Sequence, residues 1–221
     1  MPFTGLRGAD DRLFRRLVGQ RSALADYVFW GASRATNRSL LWLAISSGNR
    51  TRFTAHRVAI ETTAGVVVRE RADPRSSFDG HDLLTPWDPL HRAYFNGYAM
   101  WTYLTTPFFM VMPGFEVTEI APWQEGAERW RGLRVRFPGD VASHSREQDF
   151  YFGEDFLLRR HDYHVDVAGG FPAAQYVSDI VLVDGIRFPT RRRAYMRAPD
   201  LKPIRDLLMV AIDFTHFRFM A

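Results

Sequence analysis

The sequence predicts a single α+β domain built around an antiparallel β-sheet, and three observations lead to this fold class. Apolar residues recur with the period of an α-helix in residues 10–47 and with the alternating period of a strand from residue 51 onward. The predicted strands are joined by short connections, which favours antiparallel pairing because parallel strands need crossovers of about a dozen residues or more. Asp184-Gly185 is a strong hairpin signal. One long helix, residues 89–105, interrupts the strands. We therefore expect a strand meander covered by a helix.

The N-terminal part of the chain is expected to form a helical extension. Four apolar residues fall on one stripe of a first amphipathic helix: Leu13, Leu17, Leu24 and Val28. A second, short helix is predicted over residues 40–46 and would end at Gly48. The first helix could lie on an anionic membrane as a peripheral contact, or it could pack on the sheet and extend its arginines into water. The chain thus divides into a helical extension, residues 1–50, and a sheet domain, residues 51–221.

The helix predicted at residues 89–105 is the most aromatic segment of the chain. Asp88 followed by Pro89 is typical of a helix start, and Pro107 follows its end. The helix is apolar on most sides, so it must be covered nearly all round. Aromatic residues make up 14% of the chain, more than a core of this size needs, so some of them could line a ligand cavity instead of the core. The residues expected to contact such a ligand are Tyr94, Tyr98, Trp101 and Phe108.

The sheet domain is expected to begin with a hairpin and to continue as a meander after the helix. The hairpin is predicted from residues 52–60 and 65–71 around a turn at residues 62–65. Further strands are predicted at residues 115–120, 129–137, 147–152, 156–167, 174–183, 186–197 and 207–219.

Alternation along residues 186–197 separates one arginine from the others. The face that should be in water carries four arginines: Arg187, Arg191, Arg193 and Arg197. Arg192 lies on the opposite face, among apolar residues. A buried arginine without a partner is very unfavourable, so we expect an ion pair with Asp162, Asp213 or both. Arg192 and Asp213 are also candidates for ligand binding, because the same cation could hold an anionic ligand.

The segment RRHDYH carries the densest set of polar side chains in the chain. As a strand, it places His161 and Tyr163 on one face and Asp162 and His164 on the other. Either pair could act as general acid and base, and so could His91 in the first turn of the helix. Alternatively, the strand residues form a cross-strand network that fixes the sheet register, and His91 packs under a loop. A metal site is not expected, because His161 and His164 point to opposite faces.

Composition and missing motifs exclude several classes of function. The chain has no cysteine, which removes disulfides, thiolate catalysis and cysteine-bound metals. The net charge is +4, but residues 191–193 alternate across a strand, so no continuous stripe follows a nucleic acid. Without a phosphate-binding loop, a dinucleotide fingerprint or a zinc-binding H-E-x-x-H motif, we expect no cofactor. No apolar run is long enough to span a membrane and the N-terminus is not typical of a signal peptide, so we expect a cytoplasmic protein.

Three long segments resemble an uncharacterised bacterial protein family: TPWDPLHRAYFNGYAMWTYLTTPF, YFGEDFLLRRHDYHVDVAGG and DGIRFPTRRRAYMR. This resemblance covers residues 53–219 and implies no catalytic residue. The order of strands and helix also resembles the LolA-like lipoprotein-carrier half-barrel, in which a curved antiparallel sheet covered by helices holds acyl chains. The same architecture is similar to that of a cofactor-free enzyme of violacein biosynthesis. Residues 1–50 depart from the pattern, since their segment SRATNRSLLWLAISSG instead resembles a segment of membrane phosphatidic-acid phosphatases. The catalytic motifs of those phosphatases do not follow in this sequence, so the resemblance does not imply phosphatase activity.

The sequence therefore favours two functions from different classes. The first is a soluble protein that binds an apolar or amphipathic small molecule, such as a lipid, in a half-barrel cavity between the sheet and the helix. The second is a cofactor-independent enzyme of the isomerase, cyclase or hydrolase type, with His91, His161, Asp162 or Tyr163 as acid or base. A structural or partner-binding domain is a third reading.

Overall fold

Two antiparallel sheets enclose one long helix in the computed structural model, which describes residues 41–45 and 49–214. The helix, α1, spans Pro89–Thr105. The first sheet contains, in spatial order, β1 (Leu41–Ile45), β2 (Asn49–Phe53), β3 (Arg57–Thr62) and β4 (Val67–Ala72). In the second sheet each strand pairs with its neighbours along the chain: β5 (Glu116–Glu125), β6 (Glu128–Arg136), β7 (Glu147–Phe152), β8 (Leu158–Val165), β9 (Phe171–Val183), β10 (Ile186–Arg197) and β11 (Pro203–Asp213). The predicted antiparallel α+β fold is confirmed.

Helix α1 begins and ends where the sequence predicts. The Asp88 carboxylate accepts a hydrogen bond from the backbone N–H of His91 (2.8 Å), and the Asp88 N–H donates to Nδ1 of His91 (3.2 Å), which closes a capping box. One side of the helix packs on Phe53 of the four-stranded sheet, and the other packs on the seven-stranded sheet, where Trp101 joins the cluster around Phe150. The expectation that this helix is covered nearly all round is confirmed.

The predicted short helix at residues 40–46 is wrong, because Leu41–Ile45 is strand β1 and pairs antiparallel with β2. A short apolar run fits a buried strand as well as a helix, and its period alone does not separate the two. The predicted first helix, with its stripe of leucines, lies outside the described residues. The division of the chain at residue 50 stays a prediction, and residue 50 itself lies within β2.

The strand predicted at residues 52–60 is in fact two strands, β2 and β3, joined by a tight turn. The Thr54 hydroxyl accepts a hydrogen bond from the backbone N–H of Arg57 (2.8 Å), and the Thr54 N–H donates to the Arg57 carbonyl (2.8 Å). Threonine can replace ladder bonds with such local bonds, so a continuous β-favouring composition hides the turn. The other predicted strands are confirmed with shifted ends, and residues 147–152 and 186–197 keep their predicted bounds.

The alternation predicted for β10 is confirmed, but the expectation that Arg197 lies in water is wrong, because its side chain is only 9% exposed and pairs with the buried Asp162 of β8. Arg187 and Arg191 are exposed, whereas Arg192 and Ala194 on the opposite face are buried. We call this buried face of the seven-stranded sheet the inner face, because it is turned toward α1, and Arg192 donates to the backbone carbonyl of Tyr103 in that helix. The opposite side is the outer face.

Aromatic side chains fill much of the space between α1 and the inner face. Trp101 of the helix packs against Phe109 and Phe115, with ring centroids 5.8 and 6.5 Å apart, and Phe109 contacts Phe150 of β7 at 5.7 Å. These rings belong to one buried cluster, so a large part of the aromatic content serves the core.

Gly97 permits the close contact between α1 and β2, and this gives a first prediction. A Cβ atom at position 97 would overlap the Phe53 ring. We therefore expect Gly97→Ala to lower the free energy of unfolding by about 1–3 kcal/mol, the typical effect of overpacking, although alanine favours a helix more than glycine does. Urea unfolding measures the change. Gly139→Ala is the control, because a Cβ at position 139 meets nothing within 4 Å; equal stabilities of the two variants would contradict the contact.

Candidate functional site

A cluster of polar side chains lies buried between the inner face and α1. Each member exposes no more than 3% of its surface. The members, which we call the polar cluster, come from α1, the β6–β7 connection and four adjacent strands: Tyr98, Tyr103, His144, Gln148, His161, Tyr163, Gln175 and Arg192. Hydrophobic residues surround them, so a polar atom here that has no hydrogen-bond partner lowers the stability of the fold.

Arg192 is buried as predicted, but its predicted ion pairs are wrong. Its Nη1 donates to Oε1 of Gln175 (2.9 Å), its Nη2 donates to the carbonyl of Tyr103 (3.0 Å), and its guanidinium lies over the Tyr103 ring at 4.5 Å. Asp162 lies on the outer face, and Asp213 lies opposite Arg191 in the ladder, so neither carboxylate reaches Arg192. Burial lowers the pKa of Arg192 to about 10, so this cation stays charged at neutral pH while its partners are neutral.

Hydrogen bonds connect Gln175 to His144 through two tyrosines, whereas His161 and Gln148 form a separate pair. Nε2 of Gln175 lies 3.5 Å from the Tyr163 hydroxyl. The Tyr163 hydroxyl lies 3.4 Å from the Tyr103 hydroxyl. The Tyr103 hydroxyl in turn lies 2.9 Å from Nε2 of His144. The His144 ring also stacks on Tyr163, with centroids 4.0 Å apart. His161 forms a bond of 2.7 Å with Oε1 of Gln148 through Nε2. Arg192 therefore stands at one end of a continuous network, and His144 stands at the other.

Three buried polar atoms of the cluster have no hydrogen-bond partner among the described residues: the Tyr98 hydroxyl, Nδ1 of His144 and Nε of Arg192. Both histidines are neutral. Burial lowers the pKa of His144 to about 3 and the pKa of His161 well below 6.5. The cluster thus holds one positive charge, and it retains hydrogen-bonding capacity that the fold does not use.

A pocket of about 320 Å³ lies beside the polar cluster. Its apolar wall includes Tyr94 of α1, and its polar wall includes Arg75 and Asp166. Arg75 donates to the carbonyl of Ser143 (2.9 Å) and to the Asp166 carboxylate (3.2 Å). The Tyr94 ring contacts the Tyr98 ring at 5.4 Å. The pocket wall and the polar cluster are therefore in direct contact. The remaining lining residues are Ala55, His56, Asp73, Phe137, Pro138, Gly139, Asp140, Val141, Ala142, Ser143 and Arg146.

The residues predicted for the site do not lie in one place. Tyr94 lines the pocket, and Tyr98, His161, Tyr163 and Arg192 belong to the polar cluster. The remaining candidates lie apart from both features: His91, Trp101, Phe108, Asp162 and Asp213.

Three of these candidates, His91, Trp101 and Phe108, contact residues of the helix ends and the core. His91 caps α1, and its Nε2 lies 3.2 Å from the carbonyl of Ser77, so both ring nitrogens have partners. Burial lowers the pKa of His91. Trp101 belongs to the aromatic core, and Phe108 is half-buried at the start of the short 3₁₀ helix Phe108–Val111.

Asp162 holds two arginines together on the outer face. Its carboxylate accepts two bonds from Arg160, both of 2.6 Å, and one from Arg197 of 2.9 Å. The Arg160 guanidinium also lies over the Trp123 ring at 4.2 Å. Asp162 is fully buried, so this is a desolvated ion cluster on the side of the sheet away from the pocket.

Sequence reasoning missed several members of the site, for two different reasons. Gln148 and Gln175 occupy inward positions of β7 and β9, so the alternation that identified Arg192 could have identified them as well. His144 and Arg75 lie in connections between regular elements, where no periodic pattern marks a side chain as buried or exposed.

Comparison with known proteins finds a distant structural similarity to part of this chain. No protein-family model matches the chain, and no curated protein matches it. A LolA superfamily protein from Nitrosomonas europaea is similar in structure over 72% of this chain, with 9% sequence identity and a TM-score of 0.41; the matched part spans 63% of that protein. The fold described above therefore rests on its own sheet order and helix, and the resemblance to an uncharacterised bacterial family stays a prediction.

Within the described part of the chain, no helix has the length and apolar character needed to cross a membrane.

The two acidic residues once expected beside Arg192 give a matched pair of variants. Asp162→Asn leaves Arg160 and Arg197 without their shared carboxylate in a buried setting, so we expect the free energy of unfolding to fall by about 3–5 kcal/mol. Asp213 also pairs with two arginines, Arg191 and Arg193, but it is exposed. Asp213→Asn should therefore leave the free energy of unfolding nearly unchanged. Chemical denaturation of both variants measures the difference, and similar losses would contradict the burial of the Asp162 cluster.

The neutral histidines predict a loss of stability at mildly acidic pH. In the unfolded chain His144 and His161 bind a proton as the pH falls through 6.5, whereas in the folded protein their lowered pKa values keep them neutral. The unfolded state therefore binds more protons, and the free energy of unfolding falls as the pH decreases. Each histidine contributes a slope of up to about 1.4 kcal/mol per pH unit below its ordinary pKa.

Urea unfolding between about pH 7 and pH 5 measures this slope. His144→Gln should reduce it by up to about 1.4 kcal/mol per pH unit, because the variant has no group to protonate at this position. Gln124→Ala, at an exposed position, is the control; it removes no titratable group and should keep the wild-type slope. Equal slopes in His144→Gln and wild type would contradict the neutral, buried state of His144.

Proposed function

We propose that this protein binds an apolar or amphipathic small molecule in the pocket beside α1. The observation that carries the proposal is the pocket of about 320 Å³, whose wall joins apolar side chains to polar ones and contacts a buried polar cluster. Ligand sites typically are concave, mostly apolar and supplied with a few polar groups that fix orientation. The volume lies near the lower end of the range for such sites, about 300–1,000 Å³, which suits a small ligand or one end of a longer one.

The position of the pocket differs from the one expected from sequence. The expected cavity lay between the sheet and the whole of α1, but Trp101 and its aromatic neighbours fill part of that space. The pocket instead lies next to the first half of α1, where Tyr94 meets the β6–β7 connection around Val141. A lipid acyl chain is one member of the ligand class that we propose. We also propose that the protein is cytoplasmic and needs no cofactor.

Acid–base catalysis, the second function that the sequence favours, has less support. His161 is buried, and its lowered pKa leaves it neutral and poorly able to take up a proton at neutral pH. Asp162 is held by two arginines on the outer face, away from His161 and the pocket. Tyr163 is buried in the hydrogen-bonded network, and burial raises its pKa well above 10. The proposed binding function uses the pocket without requiring any of these groups to exchange protons.

A pocket-filling variant tests the proposal. Val141→Trp adds a large side chain to the pocket wall, so we expect it to weaken binding of the neutral fluorescent dye Nile red by roughly tenfold or more. A fluorescence titration measures the dissociation constant, and native mass spectrometry after mild purification detects any molecule that copurifies. Val181→Trp is the matched control on β9, away from the pocket, and should bind the dye like the wild-type protein. Absence of dye binding to the wild-type protein, together with no copurified molecule, would contradict the proposal.

A further inference from the structure

The end of the hairpin formed by β3 and β4 is exposed at every position from residue 63 to residue 69, and we call these residues the hairpin tip. The turn is closed by the Thr62 N–H, which donates to the Val66 carbonyl (2.9 Å), and by the Val66 N–H, which donates to the Thr62 hydroxyl (3.1 Å). Three consecutive valines follow the turn, and they expose 63%, 44% and 52% of their surfaces: Val66, Val67 and Val68. The hairpin tip therefore presents a continuous apolar segment to water.

The sheet that carries the hairpin tip has a positive charge. Strands β2 to β4 and the turns between them contain five arginines and two glutamates. Both glutamates already have arginine partners. Glu70 pairs with Arg57, and the buried Glu61 lies 3.1 Å from Arg52 and 3.8 Å from Arg50. The acidic residues of this sheet are therefore neutralised, and arginines remain in excess.

Two of these arginines lie next to the valines. The Arg50 guanidinium reaches the turn, because a Cβ atom at Gly65 would lie only 3.2 Å from its Nη2. Arg69 is exposed and directly follows Val68 in β4. The apolar segment of the hairpin tip thus has a cation on each side.

Two other exposed leucines in the described part of the chain have acidic neighbours instead. Leu84, with 86% of its surface exposed, follows Asp82 by two residues in the loop before α1. Leu182, with 69% exposed, precedes Asp184 by two residues in the β9–β10 hairpin. Apolar side chains beside arginines, as at the hairpin tip, are the combination that binds the boundary of an anionic membrane.

We propose that the hairpin tip binds the surface of an anionic phospholipid bilayer. The three valines enter the boundary between head groups and acyl chains, and Arg50 and Arg69 contact lipid phosphates. A protein partner fits the hairpin tip less well, because a stable protein interface takes about 20–30 residues from each side. Arg69 and Glu70 also place charges within an edge strand, which disfavours pairing of β4 with a strand of another chain. A nucleic acid would use the arginines and leave the valines in water.

The membrane contact is separate from the pocket. Strand β3 leads from the β2–β3 turn, where Ala55 and His56 line the pocket, to the hairpin tip. Its six residues span about 20 Å. The pocket and the membrane contact therefore lie at opposite ends of β3, and this inference does not rest on the proposed function.

Cosedimentation with vesicles tests the proposal. We expect the wild-type protein to bind vesicles of phosphatidylcholine and phosphatidylglycerol about tenfold or more tightly than vesicles of phosphatidylcholine alone, because of its two arginines. The double variant Val66→Ser with Val68→Ser removes two apolar side chains and should weaken binding to the anionic vesicles about tenfold or more. Arg69→Gln should weaken it about fivefold and leave binding to phosphatidylcholine vesicles unchanged.

The variants change exposed side chains, so they should fold like the wild-type protein. Leu84→Ser and Arg187→Gln are the matched controls, since both positions are exposed and lie outside the four-stranded sheet. Both controls should bind the vesicles like the wild-type protein.

A dye on the hairpin tip reports whether the tip enters the bilayer. The chain has no cysteine, so Ala64→Cys and Leu84→Cys each provide a single position for a nitrobenzoxadiazole label. When anionic vesicles are added, the emission of the label at residue 64 should increase and shift to shorter wavelength, whereas the label at residue 84 should not change. Vesicle binding without a change at residue 64 would overturn the proposal and would favour a contact through the predicted N-terminal helix.

Equal vesicle binding by the double serine variant and the wild-type protein would overturn the membrane contact, and so would absence of binding by the wild-type protein. Self-association or binding of a DNA duplex that is lost in the double serine variant, without vesicle binding, would assign the hairpin tip to another partner. Val141→Trp, the pocket variant, should bind vesicles like the wild-type protein. Failure of vesicle binding therefore leaves the proposed function standing, and failure of Nile red binding leaves the membrane contact standing.

Discussion

The guanidinium of Arg192 is buried with 2% of its surface exposed, and both of its terminal nitrogens donate to neutral acceptors, the Gln175 side chain and the Tyr103 carbonyl. Removing this charge from water without a carboxylate partner is unfavourable, which is why its pKa falls to about 10, yet the group remains charged at neutral pH. The cation therefore imposes order on its neighbours. It fixes the orientation of the Gln175 amide, and it ties β10 to the last turn of α1.

The outer face shows how the same sheet holds a buried arginine that has a carboxylate partner. Arg160 is as deeply buried as Arg192, but it binds Asp162 through two nitrogens, and three aromatic rings surround it: Trp123, Tyr151 and Tyr176. Such a paired and aromatic environment satisfies the charge locally. Arg192 has neutral partners instead, so its field extends into the polar cluster. The outer face thus carries an ion cluster whose charges are paired, whereas the inner face carries a single cation among neutral polar groups.

Local patterns in the sequence predicted the helix, the strand meander and the burial of Arg192, because each of these depends on a period or on a cap within one segment. The partners of Arg192 could not be predicted in the same way. The Tyr103 carbonyl is a backbone group at the far end of α1. The ladder register that places Asp213 opposite Arg191 instead of Arg192 depends on two register shifts in the pairing of β10 with β11. His144 lies in an irregular connection, so its burial depends on tertiary contacts that no periodicity records. The same limit explains β1, where a short apolar run is compatible with either a helix or a strand until its pairing with β2 is known.

The Tyr98 hydroxyl and Nδ1 of His144, which have no hydrogen-bond partner among the described residues, show where the polar cluster is incomplete. An unsatisfied buried donor typically costs about 1–3 kcal/mol, and a phenylalanine in place of Tyr98 would avoid the penalty at once. Natural sequences depart from full polar satisfaction mainly where a site has work other than stability. His144 stands at the end of the network that is farthest from Arg192, and Tyr98 stands outside the network but contacts Tyr94 of the pocket wall, while the described core elsewhere satisfies most of its polar side chains. The penalty at Tyr98 therefore lies in the part of the polar cluster that packs against the pocket wall.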